Sequence, residues 1–130
     1  MPEFEGSREM SAAPQAVWRL VSDPRRLAEW VPTATSSRPA GQDSVELKGD
    51  SHGHDYDTRS GFVADEAAGR LSWDSPRHSG YAGVLTVTGH EAGSLVTVRV
   101  SIPDIPAGAD AEVSRGLDET LDRIERLSKA

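Results

Sequence analysis

The residues with the clearest chemical potential stand near the middle of the chain. His52-Gly53-His54 places two imidazoles at i and i+2. In an extended segment those side chains point the same way and can approach one ion. His78, with Asp50 or Asp57, would complete a four-ligand set. A polar hairpin loop from Gly49 to Gly53 accounts for the same histidines by composition, and motifs this short match mostly by accident, so no metal is assigned. His54, Tyr56, Thr58, Ser60 and Phe62 share one face of an extended run by parity. If that face is concave, His54 and Tyr56 are positioned to hydrogen-bond a polar group of a bound molecule. The alternative is that Asp55, Asp57 and Arg59 face water while Tyr56 packs, its hydroxyl still wanting a partner where buried.

Other chemistries are disfavoured. No serine sits in a G-x-S-x-G elbow, and with no cysteine the chain has neither thiolate chemistry nor a disulfide framework. Glycines occur singly, without a phosphate-cradling pattern, so no nucleotide or other cofactor is expected. A net charge of −7, with Arg25-Arg26 the only adjacent basic pair, argues against nucleic acid and against anionic membrane surfaces. A neutral or apolar small molecule, or a protein, remains open as partner. No apolar run approaches the ~20 residues of a membrane span. The opening Met-Pro-Glu-Phe-Glu lacks the basic-then-apolar order of a secretory signal. A cytoplasmic location is the expectation.

The elements that must position these residues follow from periodicity. The 130 residues, 36% hydrophobic and 27% charged, suit one domain over 1–130 with a real core. Residues 3 to 10 predict a strand with Phe4, Gly6, Arg8 and Met10 on one face and Glu3, Glu5, Ser7 and Glu9 on the other. Arg8 is out of place among apolar neighbours. Burial would demand a carboxylate or ligand oxygens, and a side chain snorkelling at a sheet edge is the expected account. Ser11-Ala12-Ala13-Pro14 starts a helix running to about Val21, with Val17, Leu20 and Val21 inward. Ser22-Asp23-Pro24 ends it and opens a brief second helix, Asp23 at the N-cap, reaching Trp30 before Val31-Pro32.

From about Thr33 the period becomes two. Strands are predicted near 33–38, 43–48, 54–64, 70–75, 80–89 and 94–102, with turn signals every ten residues or so, as in a meander of hairpins. After Pro103 to Gly108, Asp110 can cap a helix to about Ser128. Val113, Leu117, Leu121, Ile124 and Leu127 form its apolar stripe.

This order predicts an α+β helix-grip fold: a curved antiparallel sheet of about seven strands around a long C-terminal helix, with two short helices after the first strand. Its layout resembles the START-like superfamily, also called SRPBCC or Bet v 1-like, which includes proteins labelled polyketide cyclase/dehydrase. The resemblance is carried by Ser7 to Pro14, Val17-Trp18, Ser22-Asp23-Pro24 with Leu27 and Trp30, Arg70-Leu71-Ser72-Trp73, and the Tyr81 to Val87 strand. It implies a cavity between sheet and long helix, with Trp30 near its mouth. Pockets for small molecules are lined mainly by aromatic and apolar groups. On that basis Trp30, His54, Tyr56, Phe62, Trp73, Tyr81, Leu85, Leu117 and Leu121 are the cavity candidates. A filled core is the competing account, and for Trp18 the preferred one.

The resemblance leaves three functions open. The first is binding of a small hydrophobic or amphipathic molecule. The second is an aromatase/cyclase acting on an enolisable polyketide chain, for which no catalytic residue is assigned. The last is a protein-interaction domain of the co-chaperone kind. A homodimer is compatible with any of them.

Overall fold

The structure is a computed structural model that describes residues 3–31, 34–41, 43–51, 54–74, 82–91, 93–101 and 110–129. Within these, the side chains of residues 50, 51, 54–56, 58, 90 and 110 are not described. Seven strands form one antiparallel sheet: β1 (Glu3–Met10), β2 (Ala34–Pro39), β3 (Ser44–Ser51), β4 (His54–Asp65), β5 (Arg70–Asp74), β6 (Ala82–His90) and β7 (Gly93–Ser101). Their order is β1-β7-β6-β5-β4-β3-β2, so β2 to β7 are a meander and β1 closes on β7. The helices are α1 (Pro14–Val21), α2 (Leu27–Trp30) and α3 (Asp110–Ser128). This is the expected helix-grip architecture. No described helix is long and apolar enough to cross a membrane.

Alternation decides which face is covered. On β7, Ser94, Val96, Val98 and Val100 are buried. Their register partners on β1 are Met10, Arg8, Gly6 and Phe4, which face the helices. The long helix turns its predicted stripe to this face. Leu117, Leu121 and Ile124 are buried, and Val113 and Leu127 pack at its ends. One contact is at Gly6, where a Cβ would stand 3.4 Å from Leu121 Cδ1 and 3.5 Å from Leu117 Cβ. A methyl group at position 6 would stand in ordinary contact with both leucines, so α3 lies against β1 here, and it also lies against α1 and α2. At the start of β7, Ser94 Oγ donates to the Ala12 carbonyl at 2.9 Å. That bond ties the sheet to the β1–α1 connection.

Two boundaries differ from expectation. The second helix is only Leu27–Trp30, with Arg26 rather than Asp23 at its N-cap. Asp23 instead shapes a turn: its Oδ1 accepts the Arg25 N–H at 2.9 Å and its carbonyl accepts the Arg26 N–H at 3.0 Å. A short side chain that bonds nearby backbone favours such turns over helix. Strand β3 also runs through Gly49 to Ser51, where a loop was expected. Gly49 is paired on both sides, with Ala34 and with Tyr56, and ladder bonds override the glycine's weak strand preference.

Candidate functional site

The centre of the inner face is built by three strands in register. Phe62 on β4 lies opposite Trp73 on β5, which lies opposite Gly83 on β6. Leu71 pairs with Leu85, and Leu85 with Val98. The Trp73 indole lies across Gly83, where any Cβ would overlap Cε2, Cζ2 and Nε1. A large ring therefore occupies the space over its neighbour because that neighbour has no side chain. Trp73 keeps part of its surface open while packing on the core, whereas Phe62, Leu71 and Leu85 are buried.

The remaining candidates fall into three groups. Leu85 and Leu121, at 0% and 1% exposure, are wholly enclosed, and Leu117 is buried on α3. Trp30 is also buried, at 4% exposure. It stands deep in the core rather than at an open mouth, because α2 packs it down between β2 and α3. His54 and Tyr56 occupy β4 opposite Ser51 and Gly49, with side chains outside those described. Tyr81 lies outside the described residues altogether, as do His52, Gly53 and His78 of the metal-like pattern. Among the described residues no group of three or more His, Asp or Glu could hold a metal ion.

Buried polar atoms divide by location. Thr120 Oγ donates to the Gly116 carbonyl at 2.9 Å within α3, and Ser94 Oγ is bonded as above. Trp30 Nε1 and Ser37 Oγ, by contrast, are shut off from water without a hydrogen-bond partner. Each such group costs on the order of 1–3 kcal/mol.

Arg8 is explained by α3. Its Nη1 is ion-paired with Asp122 Oδ1 and lies 3.6 Å from Glu125 Oε1, with the Arg8 side chain 26% exposed. The sheet-edge position was expected, since β1 is a terminal strand. The helix carboxylates, not solvent alone, receive the guanidinium. Register puts Glu46, Lys48, Arg59, Asp65, Arg70, Asp74 and Arg99 on the opposite face. Arg8 is thus the titratable group on the inner parity of the strands among the described side chains.

Sequence reasoning missed a groove of about 530 Å³ between α1 and the β4–β5 turn, lined by Pro14, Gln15, Trp18, Arg19, Glu66, Gly69 and Val87. Trp18, expected in the core, packs against it with one side and lines this groove with the other. Its place on the helix is the available signal. Val17, Leu20 and Val21 define the inward stripe, and residue 18 stands about 100° round from Val17.

Comparison with known proteins agrees with this architecture. The family described as Polyketide cyclase / dehydrase and lipid transport matches residues 1–129, and the chain belongs to that family, within the START-like superfamily. No curated protein matches the chain in sequence. Among solved structures, the Zhui aromatase/cyclase from Streptomyces sp. R1128 superposes with a TM-score of 0.81 at 17% identity, covering 98% of this chain and 93% of that one. Ara h 8.0201 gives 0.72 at 12% identity, covering 98% and 97%. The di-domain ARO/CYC StfQ from the steffimycin biosynthetic pathway gives 0.76 at 14% identity, this chain covering half of it. At such identities the likeness is one of fold.

Proposed function

We propose that the protein binds a small hydrophobic or amphipathic molecule between the inner face of the sheet and α3. The observation that carries this reading is Trp73: a large aromatic ring on the inner face, given room by Gly83, and still partly open. A side chain meant only to fill the core would be enclosed, as Leu71 and Leu85 are. Phe62, Leu85, Leu117, Leu121 and Trp30, enclosed as they are, form the core that backs this ring, with His54, Tyr56 and Tyr81 as further proposed members of the wall. Apolar and aromatic lining with few polar groups suits such a ligand.

The test is a screen of hydrophobic dyes and polycyclic aromatics, followed by tryptophan emission and by Trp73→Ala. An aromatic anchor is worth ~2 kcal/mol or more on truncation, so affinity should fall about thirtyfold. Stability should fall as well, because the same ring packs on the core. Wild-type protein that binds none of the probes would end the proposal.

Family membership and the fold shared with aromatase/cyclases support a second reading, an enzyme that folds an enolisable polyketide chain and assists proton transfer. Arg8 is committed to Asp122 and Glu125, so that reading rests on His54 and Tyr56. Turnover of a poly-β-ketone that disappears in Tyr56→Phe or His54→Ala would establish it.

A further inference from the structure

The groove of about 530 Å³ beside Trp18 has α1 as one wall and the β4–β5 turn as the other. Along β6, Leu85 separates Val87 in this groove from Gly83 beneath Trp73, and both Leu85 and its partner Leu71 are wholly enclosed. The groove therefore shares no residue with the wall proposed above. Both of its sides are fixed. The Gly69 N–H donates to the Glu66 carbonyl at 3.2 Å, and the Gly69 carbonyl accepts the Val87 N–H at 2.8 Å. With a φ of +62°, and with a Cβ at 2.5 Å from the Val87 carbonyl if one were present, Gly69 lays the turn directly on β6. Opposite, α1 is anchored by Val17, Leu20 and Val21, all buried. Small-molecule sites are largely formed in advance, at volumes of about 300–1,000 Å³.

We propose that this groove binds a neutral sugar ring stacked on Trp18. Trp18 is half-buried and lines the groove beside Pro14 and Val87, while Gln15 and Arg19 from α1 and Glu66 from the turn stand exposed around it. Among the described residues neither Arg19 nor Glu66 has a side-chain ion pair. Arg19 only donates and an ionised Glu66 only accepts, whereas Gln15 does both. The ligand must therefore offer both kinds of group. A wholly apolar molecule would strip water from these side chains and give nothing back. An anion or a cation would meet one opposite charge and one like charge. A small zwitterion would match both signs, but exposed ion pairs contribute little, and its charged ends do not cover the indole. A pyranose meets every condition: its C–H face is apolar and broad enough for the indole, and its rim of hydroxyls donates and accepts. The site is independent of the one under α3, so either can fail alone.

A panel of methyl hexopyranosides and pentopyranosides tests this, with sorbitol as an acyclic polyol and glycylproline as a zwitterion. The protein has three tryptophans, so three indole N–H resonances are expected. At least one pyranoside should move the Trp18 signal and leave those of Trp30 and Trp73 in place, and sorbitol should move none. The Trp18 signal is assigned by its loss in Trp18→Phe, or by elimination through Trp30→Phe and Trp73→Phe if the first variant does not fold. Arg19→Ala and Glu66→Gln, both at exposed positions, should each weaken binding by up to about tenfold without lowering the melting temperature. Binding of a neutral ring should persist in 1 M salt. A Trp18 signal that no pyranoside moves, or that sorbitol moves equally, overturns the proposal. So does tighter binding of glycylproline that is lost in salt, which would make the groove a site for charged ends.

Discussion

The Trp73 indole and the backbone of Gly83 occupy adjacent register positions so closely that no side chain fits at position 83. Gly83→Ala should therefore push the ring off the sheet, at about 1–3 kcal/mol for an overpacked site. In a Trp73→Leu background the same alanine should cost much less, because the colliding ring is gone. Denaturant unfolding of the four proteins measures the coupling. An equal cost in both backgrounds would mean that something other than Trp73 requires the glycine.

Leu121 is 1% exposed and sits 3.4 Å from where a Gly6 Cβ would be. Leu121→Asp buries a carboxylate without a cation beside it and should destabilise by several kcal/mol. An unchanged melting temperature would be incompatible with α3 lying on β1.

Arg8→Met removes the guanidinium shared by Asp122 and Glu125 and leaves the two carboxylates one helical turn apart. The cost should be about 1 kcal/mol, as for a partly exposed pair, and should shrink in 1 M salt as screening weakens the wild-type attraction. A salt-independent cost would assign the loss to packing of the arginine stem.

On α2, Arg26 Nε and Nη2 donate to the Glu29 carboxylate at 2.8 and 3.1 Å. These bonds hold the Glu29 carboxyl below its ordinary range against a smaller opposing effect of desolvation. A carboxyl depressed in the folded state contributes stability that is present above its unfolded pKa and is lost as pH falls through the folded value. Arg26 stays charged throughout. The pair is exposed, so Glu29→Gln should cost at most about 0.5 kcal/mol near neutrality. The two proteins should converge in acid, below the usual glutamate pKa of about 4.

Gly116 lies inside α3, and a Cβ there would meet nothing within 4 Å. Gly116→Ala should raise stability by about 0.5–1 kcal/mol through helix propensity and a less disordered unfolded chain. Thermal unfolding would read the gain, and a loss would reveal a contact that the glycine permits.

Local signals carried most of the fold into the sequence. Pro14 marks the first turn of α1, alternating valines mark β7, and the Val113 to Leu127 stripe marks α3, each from a few adjacent residues. Where the reading slipped, the deciding partner was remote. Gly49 reads as a break until Ala34 and Tyr56 are known to pair with it. Arg8 reads as misplaced because Asp122 is 114 residues away. The site was less legible for the same reason. Nothing near position 73 announces that Gly83 will lie beneath its ring, and nothing near Trp30 shows that its N–H will be enclosed without an acceptor.

The strand order also governs assembly. β2 to β7 join in chain order, so their ladders close short loops. β1 must instead find Ser94 to Ser101 near the other end of the sequence. Long loop closures cost more entropy and slow folding. The first of the seven strands in chain order is thus the one whose pairing spans the longest stretch of sequence. Helix α3 contacts that strand at Gly6, so its seat is complete only with β1 in place. The meander of β2 to β7 leaves its inner face open, and it is β1 together with α3, from opposite sides of the meander in chain order, that completes the grip.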